Sequence, residues 1–217
     1  MGIAEIFYLN WGGVDLVLTD PPYGVGIKYG KSYNDARDIY WEWFVPTVEL
    51  MRQHSKLVVF THRNEALRHL TTWDWVGVWN KPGAFGSRIG NSVILPHWEP
   101  IFLYGIHQMG VHAEYSSDVF TFNPVPSNNR SHGNIGRAAW ERDGFEYHPC
   151  PKPPKLYQRL IQVFGQNADT ICDPFTGSGT TLRAAKDLRR KAIGIEIEEK
   201  YCEIAAKRLE QEVFDFA

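Results

Sequence analysis

The sequence predicts an α/β protein that is built around a mainly parallel sheet. Short apolar segments, which are typical of buried strands, alternate along the chain with segments of helical spacing, and this alternation favours parallel strands joined by helices. The length of 217 residues fits one ordinary domain. Because 43% of the residues are apolar and 22% are charged, the chain is expected to fold as a globular protein rather than to stay disordered or span a membrane.

The predicted elements follow one another with few interruptions. Short apolar runs predict strands at residues 14–19, 56–61, 73–79, 99–104, 169–173 and 191–197. Helical spacing of apolar residues predicts helices at 39–54, 64–70, 179–188 and 198–213. The strands at 73–79 and 99–104 are expected to pair with each other. Pro46, inside the first helix, indicates either a kink or a later helix start.

The regular pattern stops between about residues 107 and 147, a stretch that includes a polar, turn-rich run at 127–134. We therefore expect one domain over residues 1–217 with a small insertion of little regular structure at about 107–147. A loop of that length in a compact domain is usually functional or mobile, and a disordered surface loop is the alternative.

The composition bounds the location and the partners. No apolar run approaches the ~18 residues that a membrane span needs, and the first residues lack the features of a signal peptide, so we expect a cytoplasmic protein with no membrane partner. Cys150, Cys172 and Cys202 fit reduced thiols better than a disulfide or a zinc site, and no metal site is predicted. The net charge of −2 is not typical of a protein that binds DNA by charge alone, although local patches matter more than the sum.

The first strand runs into Asp20, Pro21, Pro22 and Tyr23, which we call the acceptor loop. Proline has no backbone N–H, and the residue before a proline is pushed to extended geometry, so the strand ends here. The Asp20 carboxylate and the Pro21 carbonyl could accept both N–H bonds of an aryl amine, and Tyr23 offers a flat ring on which a base can stack. An Asp-Pro turn that merely ends a strand is the alternative.

A second motif, the glycine turn at residues 173–181 (DPFTGSGTT), joins a predicted strand to a predicted helix. Glycines at such a turn let the backbone approach a ligand closely, and the helix N-terminus favours an anion. The carboxylate of S-adenosylmethionine would suit this turn, whereas a dinucleotide site would need a third glycine where the chain has Leu182. Glu196, after the next predicted strand, could hold ribose hydroxyls, with a solvated glutamate as the alternative.

The two motifs together resemble the DNA amino-methyltransferases, in particular the permuted β group, in which Asp-Pro-Pro-Tyr comes first and the cofactor glycines come last. Segments 79–82, 97–99 and 148–153 are also similar to family segments, and the last of these leads a helix toward the cofactor. The resemblance covers most of the chain outside the insertion. It implies a Rossmann-like S-adenosylmethionine-dependent methyltransferase fold with circularly permuted motif order and a mostly parallel sheet containing one antiparallel strand.

The resemblance also implies the site residues. The acceptor loop would be catalytic and would hold the amine of a base flipped out of double-stranded DNA. The residues that would bind S-adenosylmethionine are Asp173, Phe175, Gly177, Ser178, Gly179, Thr180, Glu196 and Lys152, with Asn10 as the nearest match to a family residue that touches the cofactor adenine. The basic candidates for DNA contact, each with a solvent-exposed role as the alternative, are Lys28, Lys31, Arg130, Arg137 and Arg142.

Several substrates and classes are compatible with the motifs. Aspartate at the first loop position favours transfer to the 6-amino group of adenine in a specific short sequence, and cytosine-N4 transfer is the alternative. Ring-carbon methylation would use a cysteine after proline, such as Cys150, but that reaction has no use for an acceptor loop. Protein glutamine methyltransferases carry their motifs in the opposite order, and RNA stays open as a substrate.

Two other classes of protein are also compatible with parts of the sequence. A DNA-binding module of the same fold without catalysis is the main alternative to an enzyme, and an oxidoreductase is disfavoured by Leu182. We expect His62 to be a hydrogen-bonded structural histidine rather than a pocket residue. The sequence leaves open whether the protein forms a homodimer and whether it belongs to a restriction-modification system or a phage.

Overall fold

The computed structural model of the chain describes residues 13–26, 39–82, 96–108, 116–124 and 152–210. In these ranges one seven-stranded sheet has the order β5-β3-β4-β2-β1-β6-β7. The strands are β1 (Val14–Thr19), β2 (Ser55–Thr61), β3 (Trp75–Asn80), β4 (Trp98–Tyr104), β5 (Val119–Thr121), β6 (Thr170–Asp173) and β7 (Lys191–Gly194). The α-helices are α1 (Tyr40–His54), α2 (Pro154–Phe164), α3 (Thr180–Asp187) and α4 (Glu199–Glu210), and short 3₁₀ helices span Asn64–Arg68 and Ile106–Gln108.

One strand of the described sheet runs against the other six. β1 is parallel to β2 and to β6, β6 is parallel to β7, and β3 is parallel to β5. β4 lies between β2 and β3 and is antiparallel to both. The prediction of a mostly parallel sheet with one antiparallel strand, including the pairing of the third and fourth strands, is therefore confirmed.

The chain leaves β1 and β6 in opposite directions across the sheet. β1 continues through α1 into β2 on one side, whereas β6 lies on the other side of β1 and continues through α3 into β7. In open α/β sheets, ligands bind beyond the carboxyl ends of the strands at such a switch point. A ligand site is therefore expected next to Thr19 and Asp173, the last residues of β1 and β6.

Apolar side chains cover both faces of the central strands. On one face, Leu16 and Leu18 of β1 pack with Leu156 and Leu160 of α2. On the other face, Val17 packs in a second cluster with α1, whose buried side chains are Tyr40, Phe44, Val48 and Met51. Because successive side chains of a strand point to opposite faces, a strand that is buried on both sides has the continuous apolar run seen in the sequence.

Several predicted elements differ from the structure in detail. α1 begins at Tyr40 and contains Pro46, so the later helix start is wrong. The helix predicted at 64–70 is a 3₁₀ helix, and β7 ends three residues before its predicted end. β5 lies inside the stretch that was predicted to have little regular structure, and that prediction is wrong for its three residues, which pair with β3.

No helix within the described ranges is long and apolar enough to cross a membrane.

Candidate active site

The two motifs lie side by side at one edge of the sheet. β1 ends at Thr19 and β6 ends at Asp173, and the two strands are parallel neighbours. The hydroxyl of Thr19 donates a hydrogen bond to Oδ1 of Asp173 over 2.5 Å. The acceptor loop and the glycine turn therefore start from one point of the sheet, although they are about 150 residues apart in the chain.

The two oxygens of the Asp20 carboxylate have different surroundings. Oδ1 accepts hydrogen bonds from the hydroxyls of Tyr23 (2.9 Å) and Thr61 (2.7 Å), and the Lys152 ammonium lies 3.0 Å from it. Oδ2 has no hydrogen-bond partner among the described residues, and the side chain keeps 21% of its exposure. Burial raises the pKa of Asp20, and the charge of Lys152 opposes that rise. Asp20 is thus held by one oxygen and offers the other as an acceptor.

The two carbonyls of the acceptor loop also differ. The Pro22 carbonyl accepts a hydrogen bond from the Tyr40 hydroxyl over 2.5 Å. The Pro21 carbonyl accepts none within the described part of the chain. In the described part of the chain, Oδ2 of Asp20 and the carbonyl of Pro21 are thus two adjacent acceptors that make no hydrogen bond, and both belong to the predicted amine site.

A short hydrogen-bonded chain fixes the far side of this loop. The Arg63 N–H donates to Nδ1 of His62 over 2.9 Å, so the proton of a neutral ring lies on Nε2. Nε2 is 2.7 Å from the Tyr40 hydroxyl, which in turn donates to Pro22. Burial lowers the pKa of His62 to about 3, so the ring stays neutral. The expectation of a hydrogen-bonded structural histidine is confirmed.

The ring of Tyr23 has a fixed orientation. It stacks on the ring of His62 with 4.7 Å between centroids and 21° between planes. Its hydroxyl lies 2.9 Å from carboxylate oxygens of both Asp20 and Glu99, and it accepts a hydrogen bond from Lys152 over 2.8 Å. Since a phenol has one proton, it donates to one carboxylate at a time. His62 covers one side of the ring, so a base would stack on the other.

Two carboxylates and two ammonium groups form what we call the charged cluster: Asp20, Glu99, Lys81 and Lys152. Glu99 is the second residue of β4, and Lys81 follows β3 directly. Oε1 of Glu99 lies 2.8 Å from Lys81, and Oε2 lies 3.4 Å from Lys152. Burial pushes the pKa of Glu99 upward, but Lys152 and Lys81 outweigh it and leave the pKa below its ordinary value. The four charges of this partly buried group therefore balance.

Lys152 contacts the acceptor loop. It was expected to bind the cofactor, and its ammonium group lies within hydrogen-bonding distance of Asp20 and Tyr23 in the acceptor loop. Lys152 lies two residues before the start of α2, and Pro153 follows it, which restricts its backbone to extended geometry. The helix expected after segment 148–153 is present as α2.

The glycine turn has the backbone geometry that requires glycine. Gly177 and Gly179 have φ angles of 51° and 82°, in the left-handed region that other residues rarely adopt. A Cβ on Gly179 would lie 2.9 Å from the Cβ of Ala205 in α4, so the turn and this helix are in close contact. α3 begins at Thr180, and the positive end of its dipole therefore lies at the turn.

The acidic residues around the turn hold its backbone. Oε2 of Glu196 accepts the Gly177 N–H over 2.7 Å, and its Oε1 accepts the Glu198 N–H over 2.9 Å. Asp173 is 2% exposed, and its Oδ1 also accepts the Phe175 N–H over 3.0 Å. Burial raises the pKa of Asp173 to about 6, against the lowering effect of its hydrogen bonds. Both carboxylates therefore have structural partners in addition to any ligand.

The remaining predicted residues divide into two groups. Ser178 is buried, and its carbonyl accepts a hydrogen bond from Arg208 of α4, while the Phe175 ring lies 6.1 Å from Trp43. The other group lies outside the described residues and consists of Asn10, Lys28, Lys31, Arg130, Arg137 and Arg142.

The sequence also contains site residues that were not predicted. Thr19 and Thr61 end β1 and β2, and their position at strand ends was an available signal. Glu99 and Lys81 lie in segments that were recognised without a role, and Tyr40 looks like an ordinary core aromatic in an apolar helix. These residues become visible as a group only when the sheet order is known, because β2, β4 and β3 follow one another on the same side of β1.

Solved structures share this fold. The PvuII DNA methyltransferase (cytosine-N4-specific) matches with a TM-score of 0.66 and 17% identity over 94% of this chain and 82% of its own. A complex of M1.HpyAVI with SAM matches with a TM-score of 0.61 and 21% identity over 96% and 94%. The fold is thus the Rossmann-like fold of the S-adenosylmethionine-dependent methyltransferases, as predicted.

Comparison of sequences gives the family. Residues 14–207 match the family model described as DNA methylase, and the chain belongs to this family of N6/N4 DNA methylases. Type II methyltransferase M.HpaI of Haemophilus parainfluenzae is 25% identical over 99% of this chain and 74% of its own length. DNA adenine methyltransferase YhdJ of Escherichia coli (strain K12) is 25% identical over 96% and 80%. Type II methyltransferase M.HinfI of Haemophilus influenzae is 34% identical over 91% and 63%.

Proposed function

We propose that this protein transfers the methyl group of S-adenosylmethionine to the 6-amino group of adenine within a short sequence of double-stranded DNA. One observation carries the proposal. Among the described residues, Oδ2 of Asp20 and the carbonyl of Pro21 are acceptors without a hydrogen bond on adjacent residues, and the Thr19–Asp173 hydrogen bond joins their strand to the glycine turn. An amine acceptor and a cofactor turn are thus next to each other.

The glycine turn fits the proposed cofactor. Gly177 and Gly179 give the turn its left-handed backbone, and the start of α3 favours the cofactor's carboxylate. Asp173, Phe175, Ser178, Thr180 and Glu196 are the proposed neighbours of the ligand. When bound, S-adenosylmethionine supplies an electrophilic methyl carbon.

The acceptor loop would raise the reactivity of the amine. Oδ2 of Asp20 and the Pro21 carbonyl accept its two N–H bonds, which draws the nitrogen lone pair away from the aromatic ring. With the cofactor bound, the nitrogen would form a bond to its methyl carbon in line while the electron pair of the carbon–sulfur bond goes to sulfur, and one amine proton would pass to water. Most of the rate acceleration would come from positioning and fixed dipoles rather than from a covalent intermediate.

The base must leave the duplex before it can reach this loop. Flipping a base out of the stack costs on the order of a few kcal/mol. Stacking on Tyr23 and the two hydrogen bonds to the loop would offset that cost. The proposed DNA contacts at Lys28, Lys31, Arg130, Arg137 and Arg142, and a target-recognition role for residues 107–147, would supply the remaining affinity.

Adenine is favoured as the target base over cytosine. Aspartate is the first residue of the acceptor loop, and one similar protein is described as a DNA adenine methyltransferase. The alternative, cytosine-N4 transfer, is supported by the fold of the cytosine-N4-specific PvuII enzyme.

Methyl transfer from labelled S-adenosylmethionine to duplex DNA, followed by nucleoside analysis and methylation-sensitive sequencing, tests the proposal. We expect label in N6-methyladenine within one short sequence. Label in N4-methylcytosine would overturn the choice of base. Binding to DNA without any incorporation would instead support the non-catalytic module.

Replacing Asp20 by alanine removes the free acceptor oxygen and the anchor for Lys152. We expect Asp20→Ala to lower the rate of methyl transfer by at least about 100-fold, since a positioned polar group of this kind is worth that much, with a change of less than about threefold in cofactor Kd. Single-turnover kinetics would measure the rate of methyl transfer, and calorimetry would measure the cofactor Kd. Asp169→Ala is the control, because it removes an exposed carboxylate at the opposite end of the sheet. Near-full turnover in Asp20→Ala would contradict the assigned role.

A further inference from the structure

The ammonium group of Lys152 is surrounded by groups of the acceptor loop and β4. It lies 3.0 Å from Oδ1 of Asp20, 2.8 Å from the Tyr23 hydroxyl and 3.4 Å from Oε2 of Glu99. The residue is 9% exposed. An ammonium group has three N–H bonds, so three acceptors on different sides fix its direction. Lys152 therefore orients Asp20 and Tyr23, two of the loop residues that would touch the substrate.

We propose that Lys152 is a positioning residue for methyl transfer, which keeps Asp20 a charged acceptor with its free oxygen available, and that Glu99 and Lys81 hold Lys152 in place. This inference rests on the proposed function and adds to it a set of residues that do not touch the substrate. Glu99 connects the two lysines, since its oxygens lie 2.8 Å from Lys81 and 3.4 Å from Lys152.

The charge of Lys152 favours the ionised form of Asp20. Without it, Asp20 and Glu99 would be two partly buried carboxylates bridged by the Tyr23 hydroxyl, and like charges at such a distance raise each other's pKa. Burial and the charge of Glu99 already push the pKa of Asp20 upward, and Lys152 opposes them. A protonated Asp20 has one oxygen that donates rather than accepts, which weakens its hold on an amine.

The groups that face Asp20 come from every element around it. Among the described residues, the cation that contacts its carboxylate is Lys152. The surrounding titratable or hydroxyl groups are Tyr23 in the loop, Thr61 on β2, Glu99 on β4, Lys152 and Tyr157 at α2, and Asp173 on β6. His62 on the far side of Tyr23 is neutral. A substitution of Lys152 should therefore affect methyl transfer mainly by changing the ionisation of Asp20.

The test is the pH profile of single-turnover methyl transfer to duplex DNA at saturating S-adenosylmethionine, from pH 6 to 9. We expect the Lys152→Met variant to lose at least about 100-fold in rate at pH 7 and to recover up to tenfold per pH unit as Asp20 ionises. The wild-type rate should change much less over this range. A purely structural role would lower the rate equally at every pH.

Two further variants keep the proposal testable if Lys152→Met folds poorly. Lys152→Arg retains the charge and should keep the wild-type shape of the profile at a lower rate, because a guanidinium has different geometry. The double variant Lys152→Met with Glu99→Gln removes one positive and one negative charge. It should transfer methyl groups faster at pH 7 than Lys152→Met alone, since Asp20 then ionises more readily.

Lys155→Met is the matched control, because this exposed lysine lies three residues further along the chain, in the first turn of α2. Its profile should equal that of the wild type. A Lys152→Met profile parallel to the wild-type one, with cofactor Kd raised more than about tenfold, would assign Lys152 to the cofactor and overturn this inference alone. A wild-type chain that transfers no methyl group to DNA would overturn both this inference and the proposed function.

Discussion

His62 is a neutral side chain in a position where a charge would do harm. It stacks on Tyr23 and is fully buried, and its two ring nitrogens have different partners. Burial lowers its pKa to about 3, so no proton is taken up at physiological pH. A charged ring here would lie behind the ring on which the base is proposed to stack. The neutral state leaves Tyr40 as an acceptor from His62 and a donor to Pro22.

Removing the hydroxyl of Tyr40 tests this chain of hydrogen bonds. Tyr40→Phe leaves Nε2 of His62 and the Pro22 carbonyl without their partner, so we expect a loss of about 1–3 kcal/mol in the free energy of unfolding. The rate of methyl transfer should fall more than cofactor affinity, because the loop loses its anchor. Urea denaturation and single-turnover kinetics measure both.

Tyr104→Phe is the control for this prediction. Tyr104 is in the same core cluster, and its hydroxyl has no hydrogen-bond partner within the described ranges. The free energy of unfolding of Tyr104→Phe should lie within about 0.5 kcal/mol of the wild-type value. An equal loss in the two variants would show that the hydroxyl of Tyr40 has no special role.

The sequence predicts those site residues whose role is local. Asp20, Pro21 and Gly179 belong to short motifs in which a few adjacent residues determine the backbone and the acceptors. Glu99 lies 76 residues from Tyr23, and Thr61 lies 41 residues from Asp20, so their contacts depend on sheet order. Lysines and glutamates are also common surface residues, and nothing local distinguishes a buried pair from an exposed one.

At the scale of elements, the glycine turn and α4 are packed directly against each other. Gly179 touches Ala205, and Arg208 of α4 donates a hydrogen bond to the Ser178 carbonyl. Arg208 is 4% exposed, so the guanidinium is committed to this contact. The conformation of the turn therefore depends on its own φ angles and also on contacts with α4, which α3 and β7 separate from it in the chain.

Gly179→Ala should be costly for two separable reasons. A left-handed alanine costs about 1–2 kcal/mol, and its Cβ, 2.9 Å from that of Ala205, adds about 1–3 kcal/mol of overpacking. We expect a loss of about 2–5 kcal/mol in the free energy of unfolding, measured by urea denaturation, together with weaker cofactor binding.

Gly26→Ala separates the two effects. Gly26 has nearly the same φ angle, +80° against +82°, but a Cβ there would meet no described residue within 4 Å. This variant should lose only the backbone part, about 1–2 kcal/mol. Equal losses at the two glycines would contradict the proposed contact with α4.

Helices and strands could be predicted where they are long enough to show a pattern of apolar residues. The buried strands β1, β2 and β4 have six or seven residues and a continuous apolar run, which matches both faces being covered. β5 has three residues and is an edge strand, so no pattern could develop. Pro46 was an ambiguous signal because a helix with a well-buried face can tolerate one lost hydrogen bond.

At the scale of the whole molecule, the buried carboxylate at the junction of β1 and β6 affects stability. Burial raises the pKa of Asp173 to about 6 from an ordinary value of 3.8. The folded state then binds the proton more tightly than the unfolded state does. Stability from this group is complete below the ordinary value and is lost as pH rises through about 6, by an amount on the order of 2–3 kcal/mol.

Asp173→Asn should remove this dependence. The difference in free energy of unfolding between the variant and the wild type should shift in favour of the variant by about 2–3 kcal/mol between about pH 4 and pH 7, because asparagine does not ionise. Urea denaturation across that range without cofactor measures it, and contributions from other groups cancel in the difference. A difference that stays constant with pH would contradict the assigned pKa.

The pairing of β1 with β6 links the positions of the two motifs. Leu16 pairs with Ile171 and Val17 with Cys172, and the next residues supply Thr19, Asp20 and Asp173. A slip of one residue between the strands would reverse which side chains point to each face. In the proposed reaction, this register therefore sets the distance between the amine nitrogen and the methyl carbon. A mutation that displaces the end of one strand relative to the other would change that distance.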